Sequence, residues 1–231
     1  MAEKDQVKIY SGLARNYDID EKLLLLAGLR LGHYRRLAAG ELRLRPGATV
    51  IDLGCGTGLN FPMLEQAVGP RGRIIGVDIT KAMLGEAEKR VRRNGWKNVE
   101  LVRSDMAGYE FPEADGILST CAITLVPEYD DVIRKGSQAL KPGGRFVILD
   151  FKKPEWPGWL VGLAARLLVE PFGGDIGMAS RHPWESLGRH LRLKAFREFY
   201  FGGMYIATGE KPRTGRRNQP RKKSHSRHQS E

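Results

Sequence analysis

Apolar and polar positions alternate along this chain in three patterns, each predicting a different element. Residues 18–39 carry Leu23, Leu24, Leu25, Leu26, Leu29, Leu31 and Leu37 between charged positions, which predicts a helix with Asp20 as N-cap and Gly40 as stop. Residues 49–53 (Thr-Val-Ile-Asp-Leu) are a short apolar run, which predicts a buried strand. That run ends in Gly54-Cys55-Gly56-Thr57-Gly58, after which Leu59, Phe61, Met63, Leu64, Ala67 and Val68 recur at helical spacing. Three alternating glycines therefore stand between a strand and a helix N-terminus. Glycine has no Cβ and tolerates positive φ, so such a turn lets backbone approach a ligand. A strand, a turn and a helix in this order form the ligand-binding edge of a doubly wound sheet.

The spacing of the glycines bears on the ligand. A dinucleotide fingerprint needs glycines at the first, third and sixth places, and the sixth place counted from Gly54 is Leu59. The pattern is GxGxG, which puts an NAD(P)-dependent oxidoreductase second among the readings.

The stretch from Val50 to Gly58 resembles the first motif of class I S-adenosylmethionine-dependent methyltransferases. The resemblance extends over roughly residues 8–210 and implies an α/β fold: a doubly wound, mostly parallel, Rossmann-like seven-stranded sheet. A C-terminal antiparallel hairpin, expected at 191–201 and 204–208, would distinguish it from the plain dinucleotide fold. Further strands are expected at 73–79, 99–106, 114–120 and 140–150. The resemblance also implies S-adenosylmethionine as cofactor, with Asp78 accepting the ribose hydroxyls and Asp105 the adenine amino group. Asp52, Gly54, Gly56, Gly58, Ile79, Met83, Met106 and Thr120 complete the expected cofactor site. Thr80 is expected to cap the helix at 81–94, leaving Asp78 to the ligand. The segment from Tyr10 to Asp18, with its Tyr-Asp pair, resembles the N-terminal cap of ubiquinone/menaquinone-type methyltransferases, which implies that Tyr17 lines the pocket. Packing of Tyr10 and Tyr17 on the sheet edge is the other reading.

The residues after the fourth strand bear on the acceptor. Ser119-Thr120-Cys121-Ala122 stands where enzymes that methylate the amino groups of DNA bases carry Asn/Asp-Pro-Pro-Tyr/Phe, which opposes base methylation. Residues 121–127 also lack the Gly-Leu-Arg-Asn-like string of the quinone-pathway enzymes. Bacterial phospholipid N-methyltransferases share the general layout. The expected acceptor is a small, apolar or lipid-like molecule, either a quinone precursor or a phospholipid head group. Of His33, His182 and His190, His182 in the loop Ser180-Arg181-His182-Pro183-Trp184 is the candidate base.

Composition adds limits rather than a new picture. A chain of 231 residues, 41% hydrophobic, can bury one core without disulfides. Its two cysteines lack a CxxC or His/Cys cluster, so neither a disulfide nor a structural metal is expected. The charged N-terminus has no apolar h-region, so no signal peptide is expected. Of the net charge of +11, seven units come from residues 211–231, where three Lys and five Arg face one Glu. That tail has no apolar periodicity and reads as disordered and solvated, with anionic membrane ahead of nucleic acid as its partner. Residues 156–169 pair Trp156 and Trp159 with an apolar run too short to span a bilayer, which needs about 20 residues. A crossover helix over one sheet face is the favoured reading there, and contact with a membrane interface the other. The domain plan is thus cap helices at 1–40, a methyltransferase domain at 41–210 and a basic tail at 211–231, in a cytoplasmic protein at the membrane periphery. A third reading is a non-catalytic membrane- or RNA-binding protein on the same scaffold.

Overall fold

The central strand, β1 (Thr49–Leu53), forms where the apolar run predicts it, and the rest of the sheet is laid down on both sides. The computed structural model describes residues 3–14, 30–153 and 181–213. Two helices, α1 (Glu3–Leu13) and α2 (Leu31–Glu41), precede β1. They are followed by α3 (Phe61–Val68), β2 (Arg73–Asp78), α4 (Lys81–Asn94), β3 (Val99–Arg103) and β4 (Ala114–Thr120). After a 3-10 turn at Ile123–Leu125 come α5 (Tyr129–Ala139), β5 (Leu140–Phe151), α6 (Pro183–His190), β6 (Arg192–Phe199) and β7 (Met204–Glu210).

The strands lie in the order β3-β2-β1-β4-β5-β7-β6. The first five are parallel, while β7 runs antiparallel between β5 and β6. That inserted antiparallel strand separates the fold from the plain dinucleotide-binding sheet. β5 shows why the sheet is covered on both faces: Phe146 and Ile148 enter one core cluster, with Tyr205 and Leu187. Val147 and Leu149 enter the other, with Phe61, Leu64 and Val50. Successive side chains of a strand point to opposite faces, so an unbroken apolar run serves two cores at once. The edge strand β6 is exposed along most of its length and carries Arg192, Lys194 and Arg197, charges that discourage pairing with another chain.

Several expectations meet corrections. Of the helix expected at 18–39, residues 18–29 lie outside the described residues, and Arg30 sits at φ −85° and ψ 53°, outside the helical region. Its N–H donates to the Tyr200 hydroxyl at 2.9 Å, and α2 starts at Leu31 and runs past Gly40 to Glu41. The loop expected to run through Trp184 stops at His182, since Pro183 opens α6, where its missing N–H costs nothing. Eight residues carry too little periodicity to be read from sequence. The third strand ends at Arg103 rather than 106, so Ser104, Asp105 and Met106 turn over the sheet edge. Tyr17, the 156–169 run and residues 214–231 lie outside the described residues. Among the described residues no helix is long and apolar enough to cross a membrane.

Candidate active site

The glycine turn closes at the carboxyl edge of the sheet, where the N–H groups of Gly54 and Cys55 both donate to the carbonyl of Val77 at 2.8 and 3.0 Å. Gly54, Gly56 and Gly58 have φ of 68°, 54° and 80°, a region that side-chain-bearing residues rarely adopt. The three glycines do different work. A Cβ on Gly58 would fall 2.5 Å from the Phe61 ring, so this glycine lets the first residue of α3 pack onto the turn. A Cβ on Gly54 would meet Ala122 Cβ at 2.4 Å and Met106 Cε at 2.7 Å. At Gly56 a Cβ would enter open space.

Gly56 faces Asp78 from the tip of β2. Asp78 Oδ2 accepts the Gly56 N–H at 2.9 Å, and Oδ1 accepts the Thr80 N–H at 2.8 Å. The expected division of labour is therefore revised: Thr80 occupies the N-cap position of α4 but makes no side-chain cap bond, and Asp78 satisfies that amide. The Thr80 side chain also hydrogen-bonds this carboxylate, which still has acceptor capacity left for a ligand. Burial raises the Asp78 pKa above the usual carboxylate range, while the Thr80 and Gly56 amides pull it back.

Around these groups opens a cleft of about 110 Å³. Gly54, Gly56, Asp78, Ile79, Met83, Asp105, Met106 and Thr120 all line it. Asp52 and Gly58 sit beneath the floor, fully buried in the case of Asp52. Val7 and Tyr10 of α1 also line the cleft, and Tyr17 lies outside the described residues. His182 is not among the lining residues: its side chain is 44% exposed, with Nδ1 3.5 Å from Glu185 and its ring 4.8 Å from that of Trp184. His33 stacks edge-on against Tyr34, and His190 lies 3.7 Å from Asp130, so neither of these reaches the cleft.

A buried polar chain runs below the floor. Asn60 Nδ2 donates to Asp52 Oδ1 at 2.8 Å and to Thr120 Oγ1 at 3.0 Å, and Arg35 of α2 donates to Asn60 Oδ1 at 3.3 Å and to Thr120 Oγ1. The second Asp52 oxygen is buried with no hydrogen-bond partner. Burial pushes the Asp52 pKa up to about 7; Asn60 and Arg35 oppose the rise and Asp78 adds to it. Arg35 and Asn60 carry no motif in the sequence. Only the packing of α2 against the sheet brings Arg35, distant in sequence, to the end of β4.

Past Thr120 the wall becomes apolar. Ala122, Leu125 and Val126 continue it, and Cys121 turns the chain at φ 55°, held by its N–H to the Leu149 carbonyl at 2.8 Å. Behind this wall Asp150 accepts the N–H groups of Thr124 and Phe151 at 3.1 and 2.8 Å, and burial raises its pKa. Arg181 donates to the Thr124 carbonyl at 2.6 Å, tying the start of α6 to the 3-10 turn.

A family model described as a methyltransferase domain matches residues 44–169, the span from the residues just before β1 to beyond β5. The chain belongs to the class I methyltransferases. S-adenosylmethionine is the cofactor of that family, and the glycine turn with the β2 tip is where its fold presents a ligand edge. This methyltransferase is 37% identical over 142 residues to an arsenite methyltransferase of Halobacterium salinarum, covering 58% of this chain and 35% of that protein. It is 32% identical over 128 residues to a demethylmenaquinone methyltransferase of Listeria welshimeri, covering 54% of each. The chain thus spans about a third to a half of the length of these curated relatives. The geranyl diphosphate C-methyltransferase of Streptomyces coelicolor A3(2), solved with Mg2+, geranyl diphosphate and S-adenosyl-L-homocysteine, shares the fold. The TM-score is 0.61 at 14% identity, over 78% of each chain.

Proposed function

We propose that the protein transfers the methyl group of S-adenosylmethionine to a small, apolar or lipid-like acceptor, either a quinone precursor or a phospholipid head group. The observation that carries this reading is the apolar character of the cleft wall after β4. Arg35, Asp78 and Asp105 are the charged side chains among the described lining, whereas Ala122, Leu125 and Val126, which follow β4, and Val7 of α1 are apolar.

The residues present fit the cofactor. Asp78 would hold the ribose hydroxyls through the lone pairs its two amide bonds leave over, and Asp105 the adenine amino group, with Met106 and Met83 packing on the purine. The open space above Gly56 admits the amino-acid end. There a negative charge on Asp52, buried beneath the floor, would favour the α-ammonium through its field. Arg35 would take the carboxylate at the same end. The bound cofactor supplies a methyl group made electrophilic by its sulfonium. The protein's task is then to align an acceptor in line with that group and to exclude water, and an apolar wall does both for an apolar acceptor.

A nicotinamide dinucleotide fits less well, because Gly58 is taken up by Phe61 packing and no further glycine opens the helix N-terminus. An arsenite acceptor calls for several soft thiolates, and the chain has two cysteines, of which Cys55 is buried. Contact of the basic tail and the 156–169 run with anionic membrane remains part of the proposal.

The test is incubation with methyl-labelled S-adenosylmethionine and, in parallel, lipid-soluble cell extract, water-soluble extract and arsenite. Label in an organic-phase product is the expected result. Label confined to the aqueous or arsenite arm would overturn the acceptor reading while leaving the cofactor reading intact.

A further inference from the structure

The amino edge of the sheet, opposite the cleft, gathers positive charge. Outside residues 211–231 the chain carries only four units of net positive charge. Five exposed cations nevertheless stand where the chain enters three neighbouring strands: Arg43 and Arg45 before β1, Arg71 before β2, and Arg93 and Lys97 before β3. These strands are adjacent and parallel, so the residues that lead into them share one edge, about 10 Å from the first strand to the third. Hydrogen bonds join the three entries into one surface. The Gly47 N–H donates to the Val68 carbonyl at 2.7 Å, the Arg73 N–H to the Ala48 carbonyl at 2.9 Å and the Ile74 N–H to the Asn98 carbonyl at 2.9 Å. Asn98 Nδ2 adds a bond to the Gly69 carbonyl at 3.0 Å.

The acids of this edge are engaged by other groups. Glu100 pairs with Arg73, Glu88 with Arg92 and Asp115 with Lys141, while Glu65 accepts from Asn98. Among the described residues none of the five cations is in an ion pair, and Glu110 and Glu113, on the chain entering β4, are the exposed acids beside them. Arg93 answers the C-terminal dipole of α4, but Arg45, Arg71 and Lys97 stand beyond the last helical turns, where that pull has faded. Arg43 holds, at φ 50°, the left-handed place after α2 that glycine or asparagine commonly takes. Like charges gathered in this way repel one another, and an anionic partner turns that repulsion into attraction.

The side chains of the edge narrow the kind of anion. The exposed large apolar side chains of the described residues are Leu193, Phe196 and Phe201, all on β6 or in the turn after it, and Trp96 packs against the core. A bilayer interface takes apolar side chains beside basic ones, and single-stranded nucleic acid is gripped by aromatic stacking. A duplex hides its bases and presents a regular row of phosphates, which cations hold without either. We propose that the amino edge of the sheet is a docking surface for the phosphate backbone of a duplex nucleic acid. The cleft opens at the other edge, where the glycine turn follows β1, so the duplex is an anchor and not the methyl acceptor. The proposal stands apart from the methyl-transfer reading, and either can fail without the other.

The experiment uses the full chain and a fluorescein-labelled DNA duplex of about two helical turns, with anisotropy read from about 50 to 200 mM salt. The wild type is compared with a neutral variant, Arg45→Gln with Arg71→Gln and Lys97→Gln, and with a charge-retaining one, Arg45→Lys with Arg71→Lys and Lys97→Arg. In the neutral variant the plot of log affinity against log salt should be shallower by about 2 to 3, the loss of three phosphate contacts. The charge-retaining variant should keep the wild-type slope. Made in a chain ending at residue 213, the neutral variant should show the same decrement, because the basic tail adds contacts of its own. Affinity for S-adenosylhomocysteine, read at the opposite edge, should be unchanged throughout. Equal slopes in the neutral variant and the wild type, a lost slope in the charge-retaining variant, or no wild-type binding at about 50 mM salt would each overturn the proposal. So would tighter binding to a single strand of the same length, or an equal loss by the neutral variant on phosphatidylglycerol vesicles.

Discussion

Asp78 at the tip of β2 accepts the amide proton of Gly56 at 2.9 Å, tying the second strand to the middle of the glycine turn. One carboxylate thereby fixes the turn, accepts the amide of Thr80 at the start of α4, and lines the cleft. Its structural contacts and the ribose contact proposed for it would share the same two oxygens, so they can be separated only by grading the substitution.

Asp78→Asn retains one carbonyl acceptor for the Gly56 or Thr80 amide, whereas Asp78→Ala retains none. Isothermal titration with S-adenosylhomocysteine should show a loss of about 1.5–3 kcal/mol for Asp78→Ala, the value of a hydrogen bond to a charged group, and a smaller loss for Asp78→Asn. Wild-type affinity in the alanine variant would remove Asp78 from the cofactor site.

Asp52 predicts a pH dependence with a definite sign. Its folded-state pKa, about 7, lies above the ordinary aspartate value of 3.8, so the folded protein holds the extra proton between these limits. Stability should therefore fall as pH rises through that window, by something on the order of a few kcal/mol from this group. Asp52→Asn should flatten that part of the slope in urea titrations from about pH 4 to 8. Affinity for S-adenosylhomocysteine should change the other way, rising toward the alkaline end as the carboxylate beneath the floor becomes ionised and its field favours the ammonium. The variant should lack this rise. A pH-independent wild-type affinity would argue that the ammonium lies elsewhere.

The first and third glycines of the turn should fail differently. Gly58→Ala drives a methyl into Phe61 and strains a φ of 80°, so chemical denaturation should show a loss of about 2–4 kcal/mol. Gly54→Ala meets Ala122 and Met106, which line the cleft, so its larger effect should be on cofactor affinity. Calorimetry and denaturation on the two variants together check the assignment, and identical profiles would contradict it.

Arg35 can be tested through the ligand rather than the protein. In Arg35→Gln, affinity for S-adenosylhomocysteine should fall about tenfold or more, the scale of a lost charged hydrogen bond. Affinity for 5′-methylthioadenosine, which lacks the amino-acid end, should stay near the wild-type value. Parallel losses for both ligands would mean that Arg35 acts only by supporting Asn60 and Thr120.

The sheet was legible because its signals are local. Continuous apolar runs bounded by glycines mark β1, β4 and β5, and the Gly54 to Gly58 spacing marks the turn after β1. The hairpin of β6 and β7 also falls where the sequence resemblance puts it. Short α6 was hidden because eight residues give only two helical turns, and the non-helical Arg30 before α2 because its partner, the Tyr200 hydroxyl, lies 170 residues away.

At the site the same division holds. Residues in the turn or at strand tips, such as Gly54, Gly56, Asp78 and Asp105, declare themselves by their place in a motif, and the chain order alone brings them to one edge. Arg35, Asn60 and the apolar wall of Ala122, Leu125 and Val126 have no such mark. The packing of α2 on the sheet, and the course of the chain after β4, decide what they face. Sequence determined the strand tips because backbone pairing is periodic and short-ranged; tertiary packing alone decided the buried charge network, because desolvation depends on every neighbour and not on those adjacent in the chain.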